Sequence, residues 1–140
     1  MKMEQELQTK YMQMQMLEQQ SKQMQEQIQQ IDQQSMELEA VKQSLDELKG
    51  VKTGTEILVP ISGGLFIKAE MKDSQNVLVN VGAGTTVQKD VGSAKKLIDE
   101  QLVEMETVKG QIMENLDKLG EQFGMVQEEM RKLMENQEKK

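Results

Sequence analysis

The side chains in this sequence that could do chemistry are carboxylates and thioethers. The chain carries 24 Asp and Glu residues and 13 Met, with no His and no Cys. Without His, the commonest general base and metal ligand is missing. Without Cys there is no thiolate nucleophile, no thiolate metal site and no disulfide, which suits a reducing, cytoplasmic setting. The carboxylates, among them Asp32, Glu37, Glu39, Asp46 and Glu47, lie along polar helical tracts. Paired carboxylates become catalytic only in a pocket that shifts their pKa values and excludes water. With 2% aromatic and 29% charged residues, the chain has little from which to build such a pocket. They read as a solvated helix face. Gly82-Ala83-Gly84 is followed by neither a Lys-Ser/Thr pair nor a helix start, so it reads as a hairpin turn and not a phosphate loop. No catalytic, nucleotide or metal site and no cofactor is expected, and the chain does not read as an enzyme.

The thioethers are more informative. Met1, Met3, Met12, Met14 and Met16 lie near one end of the sequence, and Met125, Met130 and Met134 near the other. Methionine is flexible and polarisable, and suits surfaces that accept many partners. These residues could act together only if the two ends of the chain meet, so the elements that carry them decide the matter.

Residues 1–49 hold no Pro and no Gly, and are rich in Gln: Gln13, Gln15, Gln19, Gln20, Gln23, Gln25, Gln27, Gln29 and Gln30. Such a tract can mean disorder. Here an apolar stripe runs through it at steps of three and four: Leu7, Tyr11, Met14, Leu17, Met24, Ile28, Ile31, Leu38, Val41, Leu45 and Leu48, with Ser21 and Ser35 in two of the slots. Those are coiled-coil steps, and Gln, Glu, Lys and Met are good helix formers. One long helix is expected, ending at Gly50 as a C-cap. Asp90 is a candidate N-cap for a second helix, whose stripe reads Val91, Ala94, Ile98, Leu102, Met105, Val108, Ile112, Leu116, Leu119, Phe123, Val126, Met130 and Leu133. Gly110, Gly120 and Gly124 lie inside it and each costs about 1 kcal/mol relative to Ala, so its distal half is expected to fray or bend. Glu138-Lys139-Lys140 is expected to be a disordered end.

Each arm, roughly 47 residues, is about 70 Å long, and its stripe needs a partner. Pairing the arms antiparallel sets Leu7 against Leu133, Met14 against Val126, Leu17 against Phe123, Ile28 against Ile112 and Leu38 against Leu102. Ile31 then meets Val108, and Val41 meets Ile98. The two position numbers of each pair add to the same total within one, as an antiparallel hairpin requires. A slip of seven residues would also align regular heptads. Both chain ends, with their methionines, would then share the far tip.

Between the arms lies the one stretch that reads as β-structure. It holds the single Pro, Pro60, and Gly63, Gly64, Gly82 and Gly84. Thr55–Ile61 and Leu65–Glu70 form one hairpin around Ser62-Gly63-Gly64, and Asn76–Val81 and Thr85–Lys89 form a second around Gly82-Ala83-Gly84. Two hairpins have unpaired edges and too little mass to bury an apolar face alone. They read as an assembly surface carried by Ile57, Val59, Phe66, Ile67, Val77, Val79, Val81 and Val87. The fold class expected is α+β: a long antiparallel coiled coil with two β-hairpins between its helices, contributing to an oligomeric β-barrel. The divisions are 1–49 (first helix), 50–90 (hairpins) and 91–140 (second helix).

The net charge of −7 argues against nucleic-acid binding. No apolar run reaches the roughly 18 residues that span a bilayer, so no membrane partner is expected, and the polar stretch from Met1 to Lys10 has no apolar leader core.

Ile57-Leu-Val-Pro-Ile-Ser-Gly-Gly-Leu-Phe-Ile and Val77-Leu-Val-Asn-Val-Gly-Ala-Gly-Thr-Thr-Val-Gln-Lys carry a resemblance. With two hairpins set between paired arms, the chain resembles the α class of prefoldin subunits, most closely the archaeal form. It departs from that pattern at Thr85-Thr86, where many relatives carry aromatics. The resemblance implies a hexamer of two α and four β subunits with the hairpins in a central double barrel. It also implies ATP-independent capture of unfolded or nascent chains at the coil tips, and delivery to a group II chaperonin. Met3, Leu7, Met12, Met16, Met125, Met130, Leu133 and Met134 are the candidates for contacting clients. The alternative is a structural coiled-coil protein that forms homo-oligomers or filaments through its hairpins.

Overall fold

The structure is a computed structural model that describes residues 2–138. The expectations placed on Met1 and on Lys139 and Lys140 lie outside the described residues. The element order is α1 (Lys2–Lys49), β1 (Glu56–Ser62), β2 (Leu65–Glu70), β3 (Asn76–Gly82), β4 (Thr85–Asp90) and α2 (Val91–Glu138). The fold is α+β, with two antiparallel strand pairs between two long helices. α2 runs unbroken through Gly110, Gly120 and Gly124 to Glu138. The chain divides into two compact units, residues 34–104, and residues 1–33 with 105–140.

The unit of residues 34–104 holds both hairpins. β1 pairs with β2 and β3 with β4, as two separate two-stranded sheets. Gly63 and Gly64 both have positive φ, the turn whose twist matches flanking strands. In the second turn that role falls to Ala83 and Gly84; Ala83, at φ 51, is a non-glycine residue held in the left-handed region. Each hairpin shifts register just before its turn, between Pro60 and Ser62 and between Asn80 and Gly82. An extra residue, Ile61 or Val81, therefore bulges there. No barrel closes within one chain; closure requires strands from other chains.

The core of this unit is Leu45, Val91, Ala94 and Ile98, with Leu38, Leu48, Leu102, Val77 and Val79 packed against it. One face of β3 is thus docked on the helices of its own chain. Asp90 caps α2 as the sequence implies: its carboxylate accepts from the Ser93 hydroxyl (2.6 Å) and amide (3.3 Å). Gly50 behaves differently from expectation. α1 closes through two short-range bonds, Gly50 N–H to Glu47 O (3.2 Å) and Val51 N–H to Leu48 O (3.0 Å). Gly50 is not in the left-handed region, because these 3₁₀-type bonds already satisfy the last carbonyls.

In each unit a stretch of α1 lies antiparallel to a stretch of α2, and interhelical ion pairs mark the register. Lys42 bridges Asp99 at 2.7 Å and Lys95 bridges Asp46 in the hairpin-bearing unit. Asp32 bridges Lys109 at 2.6 Å and Lys10 bridges Glu129 in the other. The position numbers in all four pairs add to the expected total within one, so the seven-residue slip is excluded. In the unit of residues 1–33 and 105–140, the register of the Asp32–Lys109 bridge sets half-buried Ile28 level with half-buried Ile112. Cysteines at those two positions should cross-link within one chain under mild oxidation. Preferential cross-linking of Ile28→Cys with Leu119→Cys would overturn the register.

The structure corrects the stripe at three positions. Tyr11, Val41 and Val108 are 56%, 47% and 47% exposed. Their neighbours Lys10, Lys42 and Lys109 are half-buried instead, with side chains 29%, 31% and 25% exposed. Each displaced residue lies at a step where two threes follow one another, which rotates it off the helix line by about one residue's angle. The lysines restore the alternation of four and three. Their methylene stems cover the seam while the ammonium reaches a carboxylate at its rim.

Candidate functional site

In the unit of residues 1–33 and 105–140, the residues flanking the seam form two open grooves. In the first, of about 400 Å³, Gln13, Met16 and Gln20 of α1 face Gln122 and Met125 of α2 over a floor of Leu17 and Val126. The Lys10–Glu129 ion pair lies in the same groove. The second groove, about 470 Å³, is lined by Tyr11 and Met14 of α1 and by Gly124, Met130 and Met134 of α2, with Arg131 and Glu128 among its polar lining. Gly124 has nothing within 4 Å of where a Cβ would stand, so it leaves this groove open beside Tyr11.

Of the methionines expected to contact clients, Met16 and Met125 come together in the first groove, 61% and 64% exposed. Met130 and Met134 share the second with Met14. Met12 is exposed but lines neither groove, and Met3, Leu7 and Leu133 are half-buried and line neither. Sequence reasoning missed Gln13, Gln20 and Gln122. The signal was present, because Gln13, Gln20 and Gln27 are seven residues apart, one heptad each, on one flank of the stripe.

The hairpins offer the second candidate surface. Val59 pairs across the strands with Ile67, and Ile57 with Ala69; Pro60 pairs with Phe66 on the opposite face. The residues expected to carry assembly are therefore split between faces. Val59, Ile67, Phe66, Val81 and Val87 are exposed, Ile57 is half-buried, and Val77 and Val79 are half-buried against their own helices. Leu58, Ile61, Leu65 and Leu78 are exposed as well and were not anticipated. Hairpin one is thus apolar on both faces, with Leu58, Pro60 and Phe66 forming the second.

The electrostatics are those of ion pairs and caps. The Lys95 ammonium holds the Asp46 carboxyl below its ordinary value. The Ser93 hydroxyl and amide do the same for Asp90, and the Asn76 side chain and the Gln75 amide for Asp73. Asp99 raises Lys42, and Asp32 raises Lys109. Arg131, bridged to Glu128 and Glu135 along one helix, is raised further, and Glu128 is lowered. Among the described residues no group of three or more His, Cys, Asp or Glu is placed to hold a metal ion, and no helix is long and apolar enough to cross a membrane.

The shifts give a pH window. Asp46 titrates lower folded than unfolded, so its contribution is present above the ordinary value of 3.8 and is lost as pH falls through the folded value. Lys42 and Lys109 titrate higher when folded. Their contribution is present below 10.5 and is lost as pH rises through the folded values. Circular dichroism melts should be highest between these limits, and Asp46→Asn should make the acid side shallower, with Asp73, Asp90 and Glu128 keeping their share. An unchanged acid limb in that variant would remove the Asp46–Lys95 pair from the account.

The family model for prefoldin subunits matches residues 17–136. Prefoldin subunit alpha of Methanobrevibacter smithii is 33% identical over 73 residues, 52% of this chain and 50% of that protein. Prefoldin subunit alpha of Methanopyrus kandleri is 35% identical over 72 residues, covering 49% and 46%. The chain thus spans about half the length of these curated relatives. A chain in the cryo-EM structure of filamentous PFD from Methanocaldococcus jannaschii superposes with a TM-score of 0.77, over 82% of this chain and 95% of that one, at 18% identity. That likeness shows the fold.

Proposed function

The chain belongs to the prefoldin family, and on that premise we propose that it is an α-class chaperone subunit that captures unfolded or nascent chains without ATP. The observation that carries the reading is the pair of open, methionine-lined grooves on the helices of the unit of residues 1–33 and 105–140. Capture of non-native chains needs apolar surface that is exposed yet does not self-associate. Methionines scattered among Gln, Glu and Lys supply that, because no contiguous patch grows large. One such groove binds weakly, and several on one assembly gain by multivalency.

The exposed faces of the hairpins assemble the subunit, with β-class partners in a hexamer of two α and four β chains, and the loaded complex passes its client to a group II chaperonin. The cytoplasm is the setting this reading calls for. A client refolding from denaturant, followed by right-angle scattering without ATP, tests capture. The chain with a β-class partner should hold scattering down, and unchanged aggregation would overturn the reading. Sizing the same sample separates a closed hexamer from the alternative, a homopolymer that lengthens with concentration.

A further inference from the structure

The Gln tract is the feature that the apolar account of capture leaves unused. In the first groove its members are not spectators. Gln13 and Gln20 line one wall, one heptad apart, and Gln122 lines the wall on the facing helix. Around each helix the glutamines stand nearer the half-buried floor of Leu17 and Val126, and Met16 and Met125, 61% and 64% exposed, stand further out. The only charges in the groove, Lys10 and Glu129, are paired with each other. In a chain of net charge −7 the groove is therefore locally neutral.

The geometry points to a groove that reads the backbone of an extended polypeptide, with the carboxamides of Gln13, Gln20 and Gln122 pairing to its N–H and C=O groups while the methionines receive its apolar side chains. This rests on the capture reading above and specifies how one of its sites selects a ligand. A carboxamide presents both a donor and an acceptor. It can satisfy either backbone group of a passing strand without regard to side-chain identity. Two turns of helix separate Gln13 from Gln20, about 10 Å, which is the length of roughly three residues of extended chain. Gln27 continues the same row one heptad further along α1 and is also exposed. Folded proteins have spent their backbone groups in helices and sheets; unfolded segments still present them. A neutral, amide-walled groove thus distinguishes non-native chain from native surface by a property that every sequence shares.

The test uses the full-length chain with its β-class partner. The probe is a short unstructured peptide of Leu, Val, Ser and Ala, alongside the same peptide with alternate backbone nitrogens methylated. One net hydrogen bond corresponds to roughly fivefold in binding, so the unmodified peptide should bind at least about fivefold more tightly, at low and high salt alike. The triple variant Gln13→Met/Gln20→Met/Gln122→Met keeps helix propensity and adds apolar surface. It should nevertheless bind the unmodified peptide more weakly and lose the preference. A variant that binds more tightly than wild type, or keeps the preference, overturns the proposal. Client scattering measured on the same samples separates the two failures. Wild type that suppresses aggregation without any preference sinks the amide reading alone, and wild type that does not suppress aggregation sinks capture and this proposal with it.

Discussion

Ile67→Asp should dissociate the assembly and leave the chain helical. Ile67 is 49% exposed in the single chain and sits beside its cross-strand partner Val59, at the exposed end of a face whose other end, Ile57 and Ala69, is half-buried. A carboxylate there meets water in the free subunit and costs folding little. In a closed assembly the same carboxylate would be buried without a partner, at several kcal/mol per copy. That is enough to shift association by orders of magnitude. Light scattering should report subunit mass, and far-ultraviolet circular dichroism should report undiminished helix. Val79→Asp makes the instructive contrast, since Val79 packs against the Leu45–Val91–Ala94–Ile98 core of its own chain. It should lose helix stability as well as assembly. An Ile67→Asp protein that keeps its full mass would remove this face of hairpin one from the interface.

Much of this fold was legible because local rules agreed with one another. Gly63-Gly64 and Gly82-Ala83-Gly84 occupy turns that demand positive φ, and each lies between runs of β-branched residues. The helices follow from apolar residues at steps of three and four, and Asp90 from its place before Val91. What escaped is equally specific. Reading the stripe by apolar identity selected Tyr11, Val41 and Val108, whereas geometry selects Lys10, Lys42 and Lys109, whose stems are hydrocarbon and whose charges find carboxylates across the seam. Val77 and Val79 looked free because alternation along β3 shows that a face is apolar, not what covers it. Met16 and Met125 were identifiable as exposed thioethers, but their shared groove with Gln13, Gln20 and Gln122 depends on interhelical register, which ion pairs mark and residue type alone does not.

The measurement that bears most directly on capture compares the intact protein with one lacking residues 1–16 and 125–140. This deletion removes Lys10, Gln13, Met16, Met125, Val126 and Glu129 from the first groove, and Tyr11, Met14, Met130 and Met134 from the second. It leaves the core of residues 34–104, both hairpins and the Asp32–Lys109 bridge in place. The shortened chain should therefore still assemble with its partner at the expected mass. Because the grooves act together by multivalency, losing them on both copies of this chain should weaken protection by more than their share of the sites, leaving what the β-class partners supply. Mild peroxide on the intact assembly should reproduce part of the loss, since methionine sulfoxide is polar. The readout is right-angle scattering of a refolding client, without ATP, at matched assembly concentration. The account predicts scattering from the shortened assembly well above that from the intact assembly, which holds it near baseline. Equal protection by the shortened and intact assemblies would contradict it, and would place capture on the hairpins, on the remaining length of the helices or on the β-class partners.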